Sequence, residues 1–237
     1  MCSFWTKISN KSCFYCQAPL YHLSDGRVKC SNCKRRYSLK KLQKRLRVIE
    51  LFCKDYNSLQ ASKELKISYQ SIKRDFDKFR KSLAIFLEDE YQRNRDSILE
   101  YDEYIFLDHS KRKNKRAIFD GVDFLTFDYG GKVYNILMAP LDRYKASFLS
   151  DGLEEIYYRE FSKFLKIHRV SNIRSYQNTI IQFWSFFDEF IKKFKGIKRE
   201  NFFYYLKEAE FKFNYPKFEQ RVEILVKLEL NWFDKRA

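Results

Sequence analysis

The sequence predicts an α+β protein, and three observations carry that expectation. Two Cys-x-x-Cys pairs near the N-terminus frame a short hairpin. Helical periods with capping residues follow. Later, three strand-like runs precede several amphipathic helical segments, which implies a small sheet flanked by helices. Three segments result: a zinc ribbon over residues 1–41, a helix-turn-helix over 42–95 and an α+β body over 96–237.

The ribbon rests on Cys13-x2-Cys16-x13-Cys30-x2-Cys33. Zinc takes four soft ligands in a tetrahedron, and a tight turn lets both thiolates of a pair face one ion. The separation between the pairs is close to that of known four-cysteine sites. Asp25-Gly26 between them reads as a hairpin turn. So small a module has too little core to fold without a structural Zn2+. His22 reads as a loop residue beside a ligand set already complete. Cys2 and Cys53 stand alone, and Cys53 falls on an apolar helix face as a core thiol.

Charge singles out the front of the chain. Its net charge is +16, and residues 1–82 hold 20 Lys/Arg against 6 Asp/Glu, while the remaining 155 residues hold 27 against 25. A lysine-rich genome bias would spread evenly. A focused basic region attracts polyanions, double-stranded DNA above all. The stretch KRRYSLKKLQKR, residues 34–45, is dominated by Lys and Arg. It offers Lys34, Arg35, Arg36, Lys40 and Lys41 as phosphate contacts.

Residues 42–55 place Leu42, Leu46, Ile49, Phe52 and Cys53 at a helical period. Asn57 or Ser58 can cap a short helix through Leu65, Lys66-Ile67-Ser68 is a turn, and Ser68 can cap a second helix through about Phe79. Ala61, Leu65, Ile67 and Ile72 fit the packing positions of a helix-turn-helix. The second helix then presents Tyr69, Gln70, Ser71, Lys73 and Arg74 to a major groove.

In the body, strands are expected over 97–108, 117–127 and 132–139, the last two joined at Gly130-Gly131. Helices are expected near 153–167, 178–194, 199–214 and 217–233, with Gly196 ending the second of these. Asp102 and Glu103 lie mid-strand, where a carboxylate must be solvated, paired or cation-bound. His109 and His168 are isolated, and the aromatic runs NFFYY and FWSFF read as core. No apolar run approaches a membrane span, and the cationic N-terminus lacks the apolar stretch of a signal peptide. A cytoplasmic location follows as an expectation.

The order of segments, with EYDEYIFLD and NTIIQFWSFFDEFIKKFKGIKRENFFYYLKEAEFKFN, resembles the short bacterial insertion-sequence transposases of the DDE class. That family carries a ribonuclease H-like catalytic domain. The resemblance covers most of the chain, and the C-terminal motif is its specific part: Asn178, Ile180, Phe183 and Trp184, then Lys195-Gly196-Ile197 and Tyr205 to Asn214. It implies a DNA transposase that binds the terminal repeats of its element and catalyses metal-dependent strand cleavage and transfer. It also implies a nucleoid location and self-association on DNA. Carboxylates would hold Mg2+ or Mn2+, with Asp102 first, Asp151 second (Asp142 as the alternative), and Asn178 as an oxygen ligand. Ile181 stands where the family has its third acid. Asp188 and Glu189 lie on the same helix, with Asp188 roughly 10 Å beyond that position. The competing expectation is a DNA-binding protein without catalysis, either a decayed transposase or a transcription regulator.

Overall fold

The computed structural model describes residues 11–94, 98–107, 111, 120–139 and 178–234. The helix expected near 153–167 lies outside these residues, as do Cys2, His109, Asp142, Asp151 and His168. The described chain is mixed α and β, with six helices and two three-stranded antiparallel sheets. It divides into two compact units. One holds the chain up to Ser82 together with the residues from Tyr215 on, and the other runs Leu83–Asn214.

The first unit opens on a sheet of β1 (Leu20–His22), β2 (Val28–Cys30) and β3 (Arg36–Tyr37). His22 therefore ends a strand rather than sitting in the loop. The turn after it is shaped by Gly26, at φ +73°, and by the Asp25 carboxylate, which accepts from the Arg27 amide at 3.0 Å.

Three helices follow in sequence: α1 (Leu39–Cys53), α2 (Ser58–Leu65) and α3 (Tyr69–Asn94). Helix α1 starts three residues earlier than the apolar period suggests, because the Ser38 side chain accepts from the Lys41 amide. Helix α2 opens with a capping box, in which Asn57 and Gln60 each bond the other's backbone amide at 2.9 Å. Lys66, left-handed at φ 51°, closes it.

Helix α3 runs far past Phe79. No Gly or Pro stops it, and its buried stripe continues through Ile72, Phe76, Phe79, Leu83 and Leu87. Phe52 packs edge-on against Phe76 and Phe79 at 5.0 and 5.5 Å. The last helix, which we number α6 (Phe218–Asp234), belongs to this unit and packs on α1. Its buried Glu229 accepts from Arg45 at 2.5 Å and from Lys78 at 2.8 Å.

The second unit holds a sheet ordered β4 (Ile98–Phe106), β5 (Val122–Tyr129), β6 (Val133–Leu137). Asp102 and Glu103 do not break β4, since both are exposed. Gly130 and Gly131, at φ 68° and 82°, make the β5–β6 turn. On one sheet face, Tyr104 and Phe124 meet α4 (Thr179–Ile191) and α5 (Arg199–Asn214) through Phe183, Trp184, Phe187, Phe202 and Leu206. On the other face, Tyr91 of α3 stacks on Tyr134 at 4.0 Å.

A buried polar chain crosses the first of these faces. Trp184 Nε1 donates to Thr126 Oγ1 at 2.9 Å, and Thr126 Oγ1 donates to Asn135 Oδ1 at 2.7 Å. Both the amide and the side-chain Nδ2 of Asn135 donate to Glu210 Oε2, at 3.0 and 2.9 Å. Lys207 Nζ completes the chain at 3.0 Å from the same oxygen. Farther along α5, Asn214 pairs with both the N–H and the C=O of Val133 at 2.8 Å, like a neighbouring strand. Truncating Glu210 leaves buried Lys207 without the carboxylate it contacts. Glu210→Ala is therefore expected to cost about 3–5 kcal/mol in urea unfolding. A loss under about 1 kcal/mol would contradict this arrangement.

Candidate functional site

The four cysteines of the N-terminal sheet converge. Their Sγ atoms all lie within 4.8 Å of one another, with Cys13 and Cys33 at 3.8 Å and Cys16 and Cys30 at 3.3 Å. A tetrahedral Zn–S distance of about 2.3 Å sets sulfurs about 3.8 Å apart, so the cluster fits such an ion. Each pair is followed by a left-handed residue, Gln17 at φ 61° and Lys34 at φ 60°, which turns the chain back around the sulfurs. The amides of Asn32 and Cys33 point at Cys30 Sγ from 3.3 and 3.4 Å. Against the cost of burial, the Cys16 thiol and these amides hold the Cys30 thiol down to about 6. A thiolate is the form that ligates metal. The four cysteines can hold a metal such as zinc. Cys53 is fully buried in α1, apart from this set.

The basic residues singled out in the sequence sit beside this cluster and on the following helices. Lys34, Arg36, Lys40 and Lys41 are exposed, while half-buried Arg35 lies 4.5 Å over the Tyr15 ring. Three residues separate α2 from α3. At the start of α3, Tyr69, Gln70, Lys73 and Arg74 are exposed, and Ser71 is partly covered. The Ser71 amide donates to Ser68 Oγ at 3.4 Å, so the cap assigned to Ser68 is present. Ala61 and Ile72 are fully buried, which fixes which side of α3 faces outward.

In the second unit, Asp102 is exposed on β4, on the sheet face that packs on α4. It lies opposite Thr126, which in turn lies opposite Asn135. The buried polar chain therefore runs along the same cross-strand row as Asp102. The Glu103 amide donates to Asp102 Oδ1 at 2.8 Å. Asn178 is the N-cap of α4, and its Oδ1 accepts from the Ile181 amide at 2.9 Å. Asp188 is tied to the sheet by the Tyr104 hydroxyl, which donates to it at 3.1 Å. Among the described residues, the cysteine cluster is the one group of three or more His, Cys, Asp or Glu close enough for a metal. Asp102 has no such company there.

Sequence reasoning missed two features of this sheet. Thr126, Asn135, Lys207 and Glu210 form the buried row, and its one legible sign was polar residues at core-facing strand and helix positions. On the opposite face, Asp123 is buried and its Oδ1 meets no donor among the described residues. Burial first, then the Glu103 carboxyl beside it, pushes the Asp123 carboxyl up to about 7.

Metal removal gives the clearest test of the cysteine cluster. Purified chain is expected to carry one zinc, measured by atomic emission, and Cys30→Ser to carry none. Chelation should abolish the amide-proton dispersion of residues 11–38 while leaving the second unit's spectrum in place. A metal-free chain with that dispersion intact would overturn the assignment.

No family model matches the sequence, and no solved structure matches it. An uncharacterized transposase-like protein of Haemophilus influenzae (strain Rd) is 37% identical over 71 residues, which is 29% of this chain and 58% of that protein. The matched stretch thus spans little more than half of the relative's length. Among the described residues, no helix is long and apolar enough to cross a membrane. The partial similarity supports a transposase-related family for this chain.

Proposed function

We propose that the chain is a DNA transposase of the insertion-sequence type, with a ribonuclease H-like body. The zinc ribbon and helix-turn-helix grip the terminal repeats, and the body cleaves and joins strands. The observation that carries this reading is the similarity to the H. influenzae transposase-like protein. The concentration of positive charge in residues 1–82 supports it.

In this reading Lys34, Arg35, Arg36, Lys40 and Lys41 contact phosphates. Tyr69, Gln70, Ser71, Lys73 and Arg74 enter the major groove, where Gln and Arg read base edges with paired hydrogen bonds. Asp102 presents its carboxylate from a strand held by the buried row behind it. The Glu103 amide engages Oδ1, which leaves Oδ2 as the ligand atom for a cation. Asp102, with Asp151 and Asn178 as further oxygen donors, would hold Mg2+ or Mn2+, which would supply the Lewis acid that in-line attack of water or a 3′-hydroxyl on a phosphodiester needs. The cytoplasmic nucleoid is the expected location, and self-association on DNA follows from the need to hold two element ends.

A second reading has its own observation. Ile181 stands at the position of an acid in the resembling family, and Asp102 lacks clustered acids among the described residues. A DNA-binding protein without catalysis would look like this.

One experiment separates the readings. Fluorescence anisotropy with duplex DNA from the element's own ends should give tight binding, with log affinity falling by about 0.9 per phosphate contact per decade of salt. Arg74→Ala should cost about 1–3 kcal/mol on the cognate end and less on random duplex. Incubation with Mg2+ or Mn2+ should then nick the ends in wild type and not in Asp102→Ala. Binding without nicking selects the non-catalytic reading, and no preference for element ends removes both.

A further inference from the structure

The turn between α4 and α5 walls a cavity of about 600 Å3 within the second unit. Its floor is apolar, made by Phe106, Ile197 and Phe202, and its rim is cationic, with Lys192, Lys195 and Arg199. Gly196, at φ 68°, makes the tight bend that sets two of these cations at the mouth. Lys111 and Asp120 also line it but neutralise each other at 2.9 Å. Arg199 is fixed at the rim, since its Nη2 donates to the Gly121 carbonyl at 3.3 Å. Lys192 reaches Glu189 across an exposed surface, and Lys195 has no acidic partner among the described residues.

Neither half of this lining explains the other. The floor is the outer edge of the core, where Phe106 packs on Phe187 and Phe202 at 5.6 and 5.3 Å, and that packing does not call for a ring of positive charge at the rim. A nucleotide uses both, because its base offers flat apolar faces and its phosphates are anionic. The volume lies within the range of small-ligand pockets. Aromatic floors with cationic rims are how single strands are held without sequence preference. Phe106 also shares a face of β4 with Asp102, four residues away, about 13 Å along the strand.

We propose that this cavity takes one unstacked nucleotide of a single-stranded DNA segment, with its base on the Phe106–Phe202 floor and its phosphates on Lys192, Lys195 and Arg199. This rests on the DNA-processing reading above and names where that site holds a frayed strand end. The test uses the full zinc-loaded chain and three labelled probes: a blunt duplex, the same duplex with a six-nucleotide 3′ tail, and the tail alone as single strand. The tail should tighten duplex binding by about 10-fold, within the range one base stack supplies. Lys192→Ala with Lys195→Ala, and separately Ile197→Trp, which fills the floor, should each remove that gain. Blunt-duplex affinity should stay within about 2-fold at constant salt, with circular dichroism unchanged. Equal binding of tailed and blunt duplex overturns the proposal. So does an equal loss on both probes in the double variant, which would mark a general electrostatic surface. Binding of free thymidine monophosphate strong enough to erase the tail gain at micromolar levels overturns it too, in favour of a free-nucleotide pocket. If the blunt duplex does not bind, the end-gripping reading fails, and the single-strand probe still decides the cavity: Lys195-dependent binding supports it, and binding indifferent to Lys195 overturns it.

Discussion

The second unit depends on one buried carboxylate. Glu210 is wholly enclosed, so burial pushes its pKa up, and burial pushes that of Lys207 down; their contact at 3.0 Å opposes both. Glu210 also takes two hydrogen bonds from Asn135, and through Thr126 the chain reaches Trp184. One polar row thereby ties α5 to β6, β6 to β5 and β5 to α4. Apolar packing of Phe124, Phe183 and Phe187 supplies bulk stabilisation without fixing register. The row fixes it, because sliding β6 by one residue would turn Asn135 away and leave a charge buried alone. Asp102 sits on the exposed end of this row, which gives a surface carboxylate a rigid seat.

The first unit is held by different means. Its N-terminal sheet has three strands of two or three residues and a sparse core, with Cys13, Phe14, Val28 and Cys30 buried. Such a module needs a staple, and the sulfur geometry provides one. The helices behind it rely on aromatic packing and on Glu229, which gathers Arg45 and Lys78. That arrangement draws the last helix of the chain into a unit otherwise built from the first 82 residues. It also consumes two cations, so the positive charge offered outward is less than a residue count implies.

Local signals were legible in the sequence. The cysteine spacing, the Asp25-Gly26 and Gly130-Gly131 turns, and the Asn57 and Ser68 caps act over a few residues, and each has a steric or hydrogen-bonding cause visible in one dimension. Helix α3 outruns the length that a helix-turn-helix motif implies, because that motif defines where its second helix starts and not where it stops. The buried stripe simply continues to Leu87. The Glu210 row was illegible for another reason. Its partners come from two strands and two helices, and polar residues at inward positions announce a network without naming its members. The same holds for Asp123 beside Glu103, and for the cavity, whose floor and rim come from β4, the turn after α4 and the start of α5.

The proposal that bears most on function is that Asp102, seated on the Thr126–Asn135 row, holds a catalytic divalent ion. Titration of the zinc-loaded, isotopically labelled chain with Mn2+ tests it directly, since a bound paramagnetic ion broadens nearby amide resonances. The account predicts selective broadening of Asp102, Glu103 and Thr126 at low Mn2+ that disappears in Asp102→Ala. Broadening centred elsewhere, or unchanged by that substitution, would contradict it.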